Sequence, residues 1–450
     1  MIVGVGMLVQ RFWRWLIAAE SGGLRDLTMK QARNVGTTEL FKLTSIGLQH
    51  GHSNVVALAL AATALGVAFV GAILPTPLYP LYKQEFGFSG VTLTLIYAVY
   101  VLGNLVALLF FGRLSDQIGR RATSLPATGF GIASALVFAC AASTPWLFVA
   151  RALSGFSTGL ASGTATAWIA ELYAGSRPGA AARIAAAANF FGCAAGPLIS
   201  GLLAEFAPEP LRLPFLIYLG VLCATAVAIL FTPETVAKPV RLADVSLKPR
   251  LGVPQNILLQ FVSPAVTGFS TFAVIGFYSA LIPNLLADSL HLAAPLVAGA
   301  VVCELFGIAA ITILSTGRFG SQATMFGALA LLVPGVWLLV GAEVLKSLPI
   351  LLLAAAVGAV AGGLGYRGSL EVINRIAPTD RRAEVVSSYL IALFAGNSLP
   401  IIGIGLLSAY AGSLAAHVSF AVLITALAGV AALTGIKYAP DADGNARATL

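Results

Sequence analysis

Twelve long apolar runs dominate this chain, and any fold has to accommodate them first. They lie at about 54–75, 91–111, 122–141, 146–169, 186–206, 213–232, 256–280, 294–315, 323–341, 348–366, 386–411 and 416–436. Runs of ~20 residues cross the hydrocarbon core of a bilayer as helices. These are rich in Ala, Leu, Val, Ile and Gly and lack two-residue alternation, so helices are predicted and barrel strands excluded. Only 10% of the 450 residues are charged, against roughly 25% in an average soluble domain. That is too few for a soluble enzyme, a disordered scaffold, a secreted disulfide domain or a sizeable appended soluble domain. Cys140, Cys193, Cys223 and Cys303 all fall inside apolar runs, with no C-x-x-C spacing. They are read as packing residues, with no metal site and no cofactor.

Basic residues set the orientation, because cytoplasmic loops retain Lys and Arg. Of the 26 basic residues, Lys83, Arg212 and Lys346 fall on one side and Arg151 lies within a run. All the others share the opposite side with both termini, which places both ends in the cytoplasm. This distribution accounts for the formal charge of +8 without a nucleic-acid partner. The expected organisation is a cytoplasmic tail over 1–53, a six-helix bundle over 54–232, a cytoplasmic loop over 233–255, a second six-helix bundle over 256–436 and a tail over 437–450. Phe12, Trp13 and Trp15 beside Arg11 and Arg14 suit a helix lying on the inner leaflet. A weakly ordered tail, or a true start at Met29, is the other reading. A cleaved signal peptide is not expected, since two arginines interrupt the apolar stretch.

The halves resemble each other. Ala72-Ile-Leu-Pro75 recurs as Ala280-Leu-Ile-Pro283, Gly112-Arg113 as Gly317-Arg318, and Gly201-Leu-Leu-Ala as Gly405-Leu-Leu-Ser. Matches at nearly one offset suggest a duplicated six-helix unit.

Gly112-Arg-Leu-Ser-Asp116-Gln-Ile-Gly119-Arg120-Arg121 sits between the second and third spans. Its glycines permit a tight turn, and Asp116 can cap a helix or pair with arginine. The segment resembles the signature loop of the major facilitator superfamily, G-x-L-x-D-x-x-G-R-R/K. In the fourth span Arg151-Ala-Leu-Ser154-Gly155 is similar to the family's R-x-x-q-G segment. A charge within lipid normally faces a polar interior. Arg151 is thus a candidate for influencing a carboxylate's protonation, or else a structural arginine bonded to carbonyls or snorkelling outward. Gly192, Gly196, Pro197 and Gly201 resemble the segment that marks proton-coupled antiporters of this superfamily. Ser200 replaces one of its glycines and Arg183 stands where another would be. Pro197 removes a backbone donor and predicts a bend.

Glu304 is the only carboxylate deep within a predicted span. A carboxyl group there can take up and release a proton, which makes Glu304 the leading coupling candidate. The alternative is a glutamate held protonated by its neighbours. Asn104, Asn189 and Asn397 are candidate cavity residues, or else helix joiners. Glu371, Arg375 and Arg367 are expected to form a surface cluster with Arg381 and Arg382. His50, His52, His291 and His417 lie near ends and are given no role.

The resemblance implies an all-α membrane protein: twelve transmembrane helices in two six-helix bundles rocking about a central cavity, lined by spans one, four, seven and ten. Tyr79, Trp168 and Phe277 are expected near these helices. The implied activity is efflux of a small hydrophobic or amphipathic molecule driven by protons, by a monomer in a bacterial inner membrane. Alternatives are a proton-coupled importer of a sugar or organic acid, or a non-transporting receptor on the same bundle. An intramembrane enzyme is not expected, since the spans hold no catalytic clusters.

Overall fold

The computed structural model describes residues 37–173, 179–236 and 251–438, with side chains from residue 55. The Phe12–Trp15 surface helix, the Met29 start, Arg177 and the basic residues from Lys238 to Arg250 lie outside the described residues.

Twelve helical segments traverse the structure. They are Thr37–Ile73, Gly90–Phe111, Arg120–Ala139, Thr144–Leu172, Ala180–Phe206, Leu213–Leu230, Leu258–Asn284, Pro295–Ser315, Ser321–Val344, Leu348–Ile376, the pair Arg382–Gly396 and Leu399–Ala411, and Ser413–Lys437. These are called the first to twelfth spans below. Eleven spans are long and apolar enough to cross a bilayer by composition alone. The fourth is the exception. It is 29 residues long, but it carries Arg151, Ser154, Ser157, Thr158 and Thr164, all of them buried. Its polar face is turned into the bundle, where neighbouring carbonyls satisfy it. Ser157 Oγ donates to Ala127 O at 2.7 Å, and Thr158 Oγ1 to Gly155 O at 2.9 Å.

Helix ends follow local chemistry. The first helix starts at Thr37, ahead of the apolar run and inside the tail expected over 1–53. No proline occurs between Thr37 and Leu74 to remove a backbone donor. Pro75 and Pro77 then turn the chain into a short helix, Tyr79–Phe86. The eleventh span, expected to be continuous over 386–411, is broken at Asn397-Ser398. Pro400 cannot donate to the carbonyl four residues back, so the helix restarts at Leu399. The fifth span stays one helix with Pro197 inside it.

Spans one to six pack together, as do seven to twelve, and the halves meet along two seams: fifth on eighth, and second on eleventh. Glycines bring the helices close at both seams, against backbone at the first and against a threonine side chain at the second. A Cβ on Gly201 would lie 3.1 Å from the Pro295 carbonyl carbon, and one on Gly299 would lie 3.0 Å from that of Pro197. A Cβ on Gly405 would meet Thr94 Oγ1 at 2.7 Å. Gly201 and Gly405 are the repeat-related pair of the sequence, and each faces the opposite half.

The Gly201, Gly299 and Gly405 contacts cluster at the end opposite Gly112–Arg121, here called the sealed end. Polar links between the halves join them: Thr76 Oγ1 donates to Ser279 O at 2.8 Å, and Leu296 N to Glu205 Oε2 at 2.9 Å. Lys83 Nζ lies 3.6 Å from Asp288 Oδ2.

The seam predicts a wedge effect. Gly299→Val should force the sealed end apart, because the atoms it meets are backbone. A cysteine placed at buried Thr76 should then react at least about tenfold faster with a membrane-impermeant thiol reagent than in the parent, a shift of ~1.4 kcal/mol in the state equilibrium. Unchanged reactivity in folded protein would show that the seam tolerates the added bulk.

Candidate functional site

Between the halves lies a cavity of about 470 Å³. Its walls come from the first, second, fourth, fifth, seventh, eighth, tenth and eleventh spans, a wider set than the four expected. Near the sealed end the lining includes Ser279 and Asn397; toward the loop end it reaches Leu108, Ala170, Ala182, Leu370 and Val386. Aromatic side chains dominate: Phe69, Tyr97, Tyr100, Phe190, Phe272, Phe306, Tyr366 and Phe394. Every lining residue among those described is uncharged.

Tyr79, Trp168 and Phe277, expected near the cavity helices, do not line the cavity itself. Tyr79 is fully buried behind the wall. Trp168 spends its indole N–H on Pro233 O at 3.1 Å. Phe277 stacks on Phe420 and meets His417 edge-on. Trp168 and Phe277 sit on cavity helices but on faces turned toward their own halves, while Tyr79 starts the short helix after the first span.

Of the three candidate asparagines, Asn189 and Asn397 line the cavity and Asn104 does not. Asn104 is buried where the second span meets Gly155 and Gly159 of the fourth. Asn397 sits at the break in the eleventh span, and its Oδ1 accepts from Tyr97 Oη across the halves at 3.2 Å. Gly192 and Gly196 press on the carbonyls of Gly66 and Val70, so this part of the antiporter-like segment joins the fifth span to the first. Ser200 Oγ extends that contact by donating to Leu74 O at 2.6 Å.

Arg151 is completely buried. Its Nη1 donates to Ala72 O at 2.6 Å, and its guanidinium lies 4.5 Å from the Tyr100 ring centre, 5.5 Å from Tyr97 and 5.9 Å from Tyr79. It does not snorkel. It shares no hydrogen bond or ion pair with Glu304 among the described residues. Glu304 is partly buried on the eighth span, outside the cavity lining, and its Oε2 has no hydrogen-bond partner among them.

At the loop end, Arg120 organises the motif. Its Nη1 reaches Ser115 Oγ at 2.7 Å and Asp116 Oδ1 at 2.5 Å, while Nη2 and Nε reach the Glu171 carboxylate at 2.5 and 3.1 Å. Glu234, beyond the sixth span, accepts the backbone N–H groups of Arg120 at 2.8 Å and Arg121 at 3.0 Å. It thereby caps the positive end of the third span. Gly119 has φ +112°, and a Cβ there would lie 2.6 Å from Glu234 Oε2, so glycine is required for both reasons. Gly112 closes the second span, with its N–H on Leu108 O at 3.1 Å. Arg121 is peripheral, donating to Leu230 O at 3.0 Å.

The second half has its own clamp. Arg367, also buried, pairs with Glu371 at 3.0 Å and donates to the carbonyls of Thr316 and Phe319 beyond the eighth span. The expected surface cluster does not assemble as one unit, because Arg381 pairs instead with Glu384 at 2.8 Å.

Two titratable residues were missed by the sequence reading. Glu343 is buried because the ninth span runs to Val344, past the end of the apolar run, and His417 on the twelfth span lies against it at 2.6 Å. Ser413 and Ser289 donate to the same carboxylate at 2.9 and 3.1 Å. A histidine four residues after Ser413 at the start of an apolar helix was the available signal.

A helical bundle in two halves, closed at one membrane end around an aromatic cavity, is the architecture of a membrane transporter. The family model of the Major Facilitator Superfamily matches residues 56–399, and the chain belongs to that family. It is 31% identical over 281 residues to multidrug resistance protein MdtG of Yersinia enterocolitica, covering 60% of this chain and 66% of that one. It is 30% identical over 161 residues to multidrug resistance protein 1 of Bacillus subtilis, covering 36% and 40%. The match therefore spans less than two thirds of each relative. Among solved structures, a bacterial homologue of the human lysosomal transporter Spinster, inward-facing and unoccupied, aligns with a TM-score of 0.66 at 17% identity, covering 86% of this chain and 98% of that one.

The loop geometry separates the two arginines. Arg120→Ala removes four side-chain hydrogen bonds and should lower transport at least about tenfold at equal membrane expression, ~1.4 kcal/mol in a barrier. Arg121→Ala should leave transport within about twofold. Equal effects in a vesicle assay would deny Arg120 its organising role.

Proposed function

We propose that the chain exports a small amphipathic molecule across a bacterial inner membrane, exchanging it for protons by alternating access. The observation that carries this reading is the 470 Å³ cavity, walled by aromatic rings, sealed at one end and extending to the other. A sugar needs many hydroxyl partners, and this lining offers few. The distribution of Lys and Arg puts the loop end in the cytoplasm, so this conformation faces inward, ready to load from the cell interior or the inner leaflet. The names of the multidrug relatives agree with efflux.

Exchange requires halves that rock as units. Arg120, Glu171 and Glu234 tie the second, third and fourth spans to the segment beyond the sixth, and Arg367 ties the tenth to the loop after the eighth. The links that must break on reversal are those of the sealed end. The function therefore rests on two stiff halves joined by glycine seams.

Glu304 supplies a proton site on this reading. A carboxylate oxygen buried without a partner is costly when ionised, so its charge state is tied to its surroundings. Efflux of a fluorescent amphipathic dye from proteoliposomes, with and without an imposed pH gradient, is the test. Glu304→Gln should reduce uphill dye movement at least about tenfold while downhill exchange stays within about threefold. A Gln variant that still concentrates dye moves the proton site elsewhere, and the same assay on Glu343→Gln then locates it. Dye movement indifferent to the gradient in the parent would end the proton-coupled reading altogether.

A further inference from the structure

The central cavity carries a charge preference that its apolar walls conceal. Its described lining holds no acid and no base. Immediately behind it, however, stands the guanidinium of Arg151, which is always protonated. Nη1 is bound to Ala72 O, while Nε and Nη2 have no hydrogen-bond partner among the described residues. No carboxylate among them pairs with this charge. The rings between it and the cavity belong to Tyr97 and Tyr100, and both are lining residues. In so apolar a surrounding its field is weakly screened and reaches the cavity.

The polar lining groups point the same way. The two amides use their oxygens inside the protein: Asn397 Oδ1 accepts from Tyr97 Oη, and Asn189 Oδ1 from Cys193 Sγ at 3.6 Å. That occupies one of the two lone pairs on each oxygen, and the NH₂ groups of both amides can only donate. A cation would find no carboxylate. It would also find Tyr97 and Tyr100 already engaged by a guanidinium, so their rings are poor partners for a second positive charge. An anion would find donors and a buried positive charge.

We propose that the cavity selects organic anions: molecules with an aromatic or aliphatic body and a carboxylate or sulfonate head, with lipophilic cations disfavoured. Arg151 acts as a specificity-determining positioning residue. It sets the sign of the field and works through Tyr97 and Tyr100 rather than by touching the ligand. The proposal rests on the cavity being the substrate site.

Three probes that share one ring system test it: naphthalene-2-sulfonate, 2-naphthol and the trimethyl-(2-naphthyl)ammonium ion. Binding to the purified full chain in neutral detergent is measured by equilibrium dialysis against empty micelles. The sulfonate should bind at least about tenfold more tightly than the ammonium ion, with naphthol between them. Arg151→Gln should bring that ratio to within about twofold, and Arg151→Lys should preserve most of it. Asn189→Asp, which puts a carboxylate on the cavity wall and leaves Arg151 untouched, should weaken sulfonate binding about tenfold and strengthen the ammonium ion. It decides the matter if the Arg151 variants do not fold. Equal binding of both ions, a preference for the ammonium ion, or a ratio unmoved in folded Arg151→Gln and Asn189→Asp overturns the charge preference and leaves the transporter reading standing. No binding of any probe overturns the cavity as substrate site, and this inference with it.

Discussion

Two helices in hydrocarbon gain little by hiding apolar side chains from each other, because lipid is equally apolar. What holds them is close contact over small residues, where backbones approach and dispersion and weak polar contacts accumulate. Every seam here has this character. Gly192 lies on Gly66, Gly155 on the Tyr100 carbonyl, and Gly299 and Gly201 on the Pro197 and Pro295 backbones. The first two lie within a half and the last two between halves. One packing device thus builds both the halves and the joint between them.

The same medium fixes where charge can stand. The polar side chains of the fourth span are buried because nothing outside the bundle would accept them, and Arg151, Ser154 and Ser157 find carbonyls of neighbouring helices. Arg120 and Arg367 take the same course at the loop end, each neutralised by a carboxylate and tied to polar groups of a nearby loop. Arg151 differs. It has one carbonyl and a cage of aromatic rings, with no acid paired to it among the described residues. A buried charge left in this condition is expensive, which makes it a place to look for function rather than stability.

The number of spans and the motif loop were readable because each is written in contiguous residues. Apolar length signals a span, and Gly112 to Arg121 carries its own turn chemistry. What was not readable depended on contacts between distant segments. Glu234 lies 114 residues from the N–H it caps, and a lone glutamate beyond a span gives no hint of that. Glu343 looked like a loop residue because the apolar run stops before the helix does. Trp168 and Phe277 lie on cavity helices, as their spans suggest, but the face of the helix decides what lines the cavity. Asn397 was found as an in-span polar residue, but the helix break beside it follows from Pro400, whose effect a hydropathy reading overlooks.

The distribution of links between the halves bears on how such a protein can reverse. At the sealed end the described ones are few and mixed: hydrogen bonds from Thr76 to Ser279, Leu296 to Glu205 and Tyr97 to Asn397, a partly exposed ion pair worth ~0–1 kcal/mol, and glycine contacts that a small separation relaxes. Two states built on such links can lie within a few kcal/mol, the range over which binding of one small molecule shifts a population. The clamps inside each half lose nothing in the exchange, because Arg120 and Arg367 make their described contacts within their own halves. Rigidity and bistability are thus assigned to different residues, and each can be altered without the other.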